Sequence, residues 1–241
     1  MAFKEFRLSP DLPVKVYKRK TSRSLRLSVT AAGEVKVSIP TWTPYAHGLS
    51  FANSKLSWIQ AQLPAAPPLL QHGQAVGKAH RLFFAASPSA VKPSARLKRT
   101  LIVVNYPLAS APDEPLTQTV AARACIRALR TQAGQLLPQR LQALAEQYGF
   151  EYSSVSVKLL KSRWGSCDTK QHIVLNLFLM QLPWELIDYV LLHELTHTRV
   201  MQHGPKFWGE MERVRPSAKT DRRAMRAYQP ILQAAVPLPV A

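Results

Sequence analysis

Pro183-Trp184-Glu185-Leu186-Ile187-Asp188-Tyr189-Val190-Leu191-Leu192-His193-Glu194-Leu195-Thr196-His197 reads as one apolar helix that carries a chemical motif. Proline suits the first turn of a helix, and a glutamate beside it favours the helix N-terminus. The apolar run 189–192 marks the helix as buried. Residues i and i+4 of a helix lie one above the other on the same face. His193 and His197 therefore aim two imidazoles at one point. Glu194 follows the first histidine directly, where a carboxylate can take a proton from water activated by a metal ion. His203 comes six residues after His197, and Gly204-Pro205 follow it as a stop signal. A chain that turns there returns His203 to the same metal as a third ligand. Three protein ligands leave one position open for water, the pattern of a catalytic zinc site.

Working outward, residues 14–39 alternate as strands over 14–18, 24–29 and 34–39, with Ala32-Gly33 as a hairpin turn. A helix is expected over about 46–63, with Phe51, Leu56, Trp58, Ile59 and Leu63 mostly on one side and Pro64 to Pro68 ending it. Residues 72–105 read as a second β region. The proline-rich stretch 106–116 is the best linker. A helical region spans 117–148, kinked or restarted at Pro138 and stopped by Gly149. A strand at 155–160, a turn-like segment at 162–167 and a buried strand at 172–180 precede the metal helix. The division expected is a basic β-rich portion at 1–112, a catalytic portion at 113–229 and a flexible tail at 230–241.

The 241 residues are enough for one large or two small domains with a sizeable core. Two cysteines, Cys125 and Cys167, give no disulfide framework. The charged start is not a secretory signal, and no stretch approaches the ~18 apolar residues of a membrane span. A cytoplasmic location with no membrane contact is the expectation. Net charge is +18, and no acidic residue occurs between Val35 and Pro112. Such a field suits nucleic acid or another polyanion, or it is a solvated face. Aromatic residues are not interleaved with the basic ones along the sequence, as a stacking platform would require.

Ser162-Arg163-Trp164-Gly165-Ser166-Cys167, then Leu175-Asn176, Leu182-Pro183, 188–197 with its two histidines, His203-Gly204 and Phe207-Trp208 together resemble the YgjP-like family of metal-dependent hydrolases. That family is related to SprT-type and other minimal zincin metallopeptidases. The resemblance extends upstream through Arg19, the strands to Pro40, Lys55 and Trp58-Ile59. It implies an α+β fold in which a basic β-rich portion precedes a zincin-like catalytic portion. By the same resemblance His193, His197 and His203 would hold the metal and Glu194 would act as acid and base.

The remaining residues divide into rivals and supports. Glu210 and Glu212 are alternative third ligands, close in sequence for that role. Tyr189, one turn before His193, is a core residue or an oxyanion donor. Arg163 holds an anionic group or pairs with Asp168 or Asp188. Trp164 and Trp208 are packing walls, and Cys167 is a small thiol. His47, His72, His80 and His172 have no ligand spacing. The function expected is zinc-dependent hydrolysis of peptides, with 172–180 offering a strand edge to the substrate. The alternatives are a zinc- or magnesium-dependent nucleoside triphosphate phosphoanhydride hydrolase and a nucleic-acid adaptor with a vestigial metal site.

Overall fold

Alternation along residues 12–17 buries Leu12, Val14 and Val16 and turns Pro13, Lys15 and Tyr17 to the other face. The computed structural model describes residues 3–10, 12–30, 33–63, 69–230 and 232. It divides into two compact units, Met1–Pro67 and Pro68–Ala241. In the first, β1 (Phe3–Ser9), β2 (Leu12–Arg19), β3 (Arg26–Val29) and β4 (Val35–Pro40) form a sheet of order β1-β2-β4-β3. β2 and β4 run parallel, and the outer pairs are antiparallel. Carrying Lys4, Glu5 and Arg7, Phe3–Ser9 is not legible as a strand, yet it pairs along β2. The expected hairpin joins β3 to β4, with the Glu34 amide donating to Thr30 Oγ1. Ala32 lies outside the described residues.

One face of this sheet is covered by α1 (Tyr45–Ser54) and α2 (Leu56–Gln62). Val14, Val16, Val35, Val37 and Ile39 close a core with Ala52 and Ile59. The single helix expected at 46–63 is broken at Lys55 (φ −115°, ψ 20°). The break lets each short helix turn its own anchor, Ala52 or Ile59, into the same core, and it leaves Trp58 44% exposed. Pro64 to Pro68, expected as the helix stop, lie outside the described residues.

The second unit opens with β5 (Ala75–Val76), β6 (His80–Ser87), β7 (Ser94–Leu97) and β8 (Leu101–Pro107), in the order β5-β6-β8-β7. Leu82, Phe84, Ile102 and Val104 share one core with Leu129, Leu137 and Leu141 of α3 (Pro115–Tyr148). The boundary expected at residue 112 is therefore corrected. These strands cannot bury their apolar face without α3, and the chain divides at Pro67–Pro68 instead. α3 runs on through Pro138 as one helix and stops at Gly149, whose left-handed φ of 67° suits a residue without Cβ.

β9 (Ser154–Lys158), β10 (Gly165–Cys167) and β11 (His172–Asn176) make a third sheet of order β10-β11-β9. The segment expected as a turn at 162–167 contains β10. The strand expected to reach residue 180 ends at Asn176, whose side chain caps a short 3-10 helix, Leu177–Gln181. α4 (Trp184–His197), α5 (Pro205–Val214) and α6 (Ala218–Ala224) complete an α+β architecture. Bidentate contacts of 2.7 and 2.6 Å from Arg140 on α3 to Asp188 fix α4 in place. Among the described residues, no helix is long and apolar enough to cross a membrane. The tail expected at 230–241 lies outside the described residues apart from Pro230 and Leu232.

Candidate metal centre

α4 buries Leu186, Ile187 and 189–192, so its last turn is held rigidly against the core. His193 and His197 meet edge to face along that turn with ring centroids 4.9 Å apart. The chain leaves the helix, loops through 198–204 and brings His203 back above them. One ring nitrogen from each of the three histidines lies within 4.8 Å of the other two. His193 Nε2 and His203 Nε2 are 2.9 Å apart. Two imidazole nitrogens this close need a shared proton or a cation between them.

The protonation states suit the second option. His197 Nδ1 lies 3.2 Å from the Val200 carbonyl. A carbonyl only accepts, so Nδ1 carries the proton and Nε2 presents its lone pair to the cluster. Burial pushes His193 down to about 3, with His197, His203 and Arg222 adding to the effect, and it lowers His197 as well. Both rings are neutral in the physiological range, the state a metal ligand requires. His193 Nδ1 is buried without a hydrogen-bond partner.

Phe207 forms the floor. It is fully buried, and its ring centroid lies 4.9, 4.6 and 4.8 Å from those of His193, His197 and His203. Pro205 starts α5 two residues earlier and so delivers this ring under the triad. Trp208 stacks on His203 at 6.1 Å and 26°, and the Arg222 guanidinium covers the Trp208 ring at 4.6 Å. His203, though exposed, is thus oriented by a stack of planar groups.

Glu194, the next residue on α4, has a buried side chain whose Oε2 lacks a partner. Burial pushes its carboxyl up to about 8, opposed by the charge of Arg163. Gly165 of β10 lies against it. A Cβ at that position would stand 2.7, 2.8 and 2.9 Å from Glu194 Oε1, Cγ and Cδ. Only glycine lets this strand pass so close to the carboxylate.

A cavity of about 310 Å³ opens beside Glu194 and His193, lined also by Arg163, Trp164, Tyr189, Val190 and Met225. Arg163 pairs with neither expected aspartate. Asp188 is taken by Arg140, and Asp168 accepts the amides of Lys170 and His172. The loop that carries Arg163 is held by Asn176, whose Nδ2 donates to the carbonyls of Leu160 and Arg163. Tyr189 is buried at the cavity wall, one turn before His193.

The rival ligands lie elsewhere. Glu210 is tied to Arg199 and Arg213 at 2.6 and 2.8 Å, and Glu212 to Lys219 at 2.9 Å. Among the described residues, His203 is the rival whose ligand atom stands with those of His193 and His197 within 4.8 Å. Cys167 is a half-buried thiol pushed up to about 11 by burial and the nearby Glu194 and Asp168, and it stands outside the cluster. His72, His80 and His172 make ordinary contacts with the Phe84 amide, with Gln132, and with Ser154 and Ser156. The sequence offers no spacing signal for Arg222 or Met225. Gly165 is visible only as a glycine within Trp164-Gly165-Ser166, and its role comes from register.

A family model described as "YgjP-like, metallopeptidase domain" matches residues 23–228. Among solved structures, the metallopeptidase zymogen abylysin from Pyrococcus abyssi is 27% identical over 42% of this chain and 100% of its own, with a TM-score of 0.36. No curated protein matches.

Proposed function

The chain belongs to the YgjP-like metallopeptidase family, and from that premise we propose that it is a zinc-dependent peptidase in which His193, His197 and His203 hold the metal and Glu194 moves the proton. The observation that carries this reading is the meeting of three histidine nitrogens within 4.8 Å beside a buried carboxylate with one unpartnered oxygen. The donor set contains imidazoles alone, which suits zinc better than a hard, oxygen-seeking cation.

Zinc, when bound, supplies Lewis acidity, acidifying water and polarising a carbonyl. Glu194 does the rest of the proton work. Glu194 lines the cavity, and its unpartnered Oε2, in the ionised carboxylate, would accept a proton from the attacking water and return it to the leaving amine. Arg163 and Tyr189 both line the cavity and would donate to the carbonyl oxygen as charge builds on it. Trp164, Val190 and Met225 keep water from the bond and receive a side chain.

An extended substrate needs a free strand edge. The edge expected on 172–180 is not free, because β11 lies between β10 and β9. β10, at the border of the sheet and against Glu194, offers its outer side instead. One observation favours the phosphoanhydride reading. Among the described residues Arg163 makes no ion pair, and it lines the cavity, where it would meet a phosphate. The vestigial-adaptor reading gains nothing from a buried carboxylate, which binding alone does not need.

The test is zinc-loaded protein assayed against unfolded peptides and nucleoside triphosphates, beside Glu194→Gln. Peptide cleavage lost in Glu194→Gln, with zinc retained, supports the reading. Full hydrolysis by Glu194→Gln sinks it, and cleavage of triphosphates alone moves the activity to the second reading.

A further inference from the structure

The first unit has a sheet with two unlike faces. α1 and α2 cover one, where the alternating valines lie. On the other, strand register sets side chains in rows. Phe3 pairs with Tyr17, Tyr17 with Ser38, and Ser38 with Arg26. The next row runs Glu5, Lys15, Lys36, Ser28. Arg19 follows Tyr17 by two residues on the same face.

We propose that this open face binds single-stranded nucleic acid, with bases stacking on Phe3 and Tyr17 and phosphates meeting Arg19, Arg26, Lys15 and Lys36. The two rings stand side by side with centroids 5.2 Å apart, and Phe3 is 48% exposed. Phe3 is exposed and Tyr17 half-buried beside it, and such a partly solvated aromatic pair is matched by a partner with flat apolar faces. Unpaired bases have such faces, whereas a duplex buries them.

The charge complements the same partner. The unit holds ten Lys and Arg against three Asp and Glu. Arg19 and Arg26 make no ion pair among the described residues, while Lys15 and Lys36 share the Glu34 carboxylate at 2.5 and 2.7 Å. Lys15 also lies 5.7 Å from the Phe3 ring centre, so cation and stacking surface already adjoin. Lys15, Tyr17 and Arg19 alternate along β2 on this face, and the register of the neighbouring strands adds Phe3, Lys36 and Arg26.

The experiment titrates the full chain with labelled oligothymidine, oligouridine and a duplex of equal length, at low and at physiological salt. Both single strands should bind, more weakly as salt rises, and the duplex poorly. The two single strands separate a preference for DNA from one for RNA. Tyr17→Ser should weaken binding about tenfold, as loss of one stacking contact does, and Tyr17→Phe should restore it. Phe3→Ser probes the same contact from an exposed position, so a Tyr17→Ser protein that failed to fold would leave the test intact. Lys98→Glu with Arg99→Glu, in the second unit, should leave binding as it was. Equal affinity for the duplex or for heparin, wild-type binding by both Phe3→Ser and Tyr17→Ser, or binding only to phosphatidylserine vesicles would each overturn the proposal.

Discussion

Around Phe207 three imidazoles are packed into an apolar setting that keeps two of them neutral, and a carboxylate beside them is buried with half its hydrogen-bonding capacity unused. On the outer face of the N-terminal sheet, cations stand beside the Phe3 and Tyr17 rings, tempered by Glu34, which pairs with two of them, and by Glu5 across from Lys15. The first region spends stability to hold polar groups away from water, so each group there must be exact in place. The second spends almost nothing, and its strength depends on how many contacts act at once. Single substitutions should therefore be severe in one region and graded in the other.

The largest effect belongs to the ligands. His193→Ala and His197→Ala should each lose metal affinity by more than ~100-fold, the upper range for losing a mere orienting partner. His203→Ala should do the same, whereas Glu210→Ala and Glu212→Ala should hold metal as the parent does. Metal analysis after dialysis decides this. A Glu212→Ala protein stripped of metal beside a His203→Ala protein that keeps it would reverse the ligand assignment. Beneath the triad, Phe207→Ala should cost about 3–5 kcal/mol of stability as a buried ring is lost, measurable by denaturant unfolding. Its metal affinity should fall too, since all three imidazoles rest on that ring.

Gly165→Ala should separate placement from folding. Its backbone is not in the left-handed region, so alanine brings no conformational strain. The added Cβ instead meets three atoms of Glu194, whose flexible end moves towards the cavity. Turnover should fall roughly 10- to 100-fold, in line with a catalytic group misplaced by up to an ångström. Metal content and unfolding midpoint should stay near the parent's. Unchanged turnover would mean that Glu194 does not work from the position it holds here.

Legibility followed sequence distance. His193, Glu194 and His197 lie within one helical turn, where periodicity alone fixes who faces whom. The 117–148 helix and the β3–β4 hairpin were equally plain for that reason. Gly165 against Glu194 depends on how β10 docks on α4, which no local pattern states. The edge expected at 172–180 failed because burial of an apolar strand does not say whether neighbours occupy one side or both. Phe3–Ser9 is hidden because an edge strand with three charges in seven residues looks like a polar start. The boundary at 112 was misjudged because a proline-rich stretch marks a turn as readily as a domain limit.

The smallest effect is the most diagnostic of the open face. Lys15 and Lys36 hold the Glu34 carboxyl down to about 2 through hydrogen bonds and charge. A depressed carboxyl contributes above its unfolded value and fades as pH falls through its folded one. Between pH 5 and 8 Glu34 is therefore fully ionised, and it masks the two lysines throughout that range. Glu34→Gln should leave stability almost unchanged, because the pair is surface-exposed. Binding of oligothymidine should strengthen a few-fold. The slope of log affinity against log salt should steepen by about 0.7 for each lysine released to a phosphate. That slope is measured with the same labelled oligonucleotide over a salt series. An unchanged slope, with affinity also unchanged, would place Lys15 and Lys36 outside the contact and confine the polynucleotide to Phe3, Tyr17, Arg19 and Arg26.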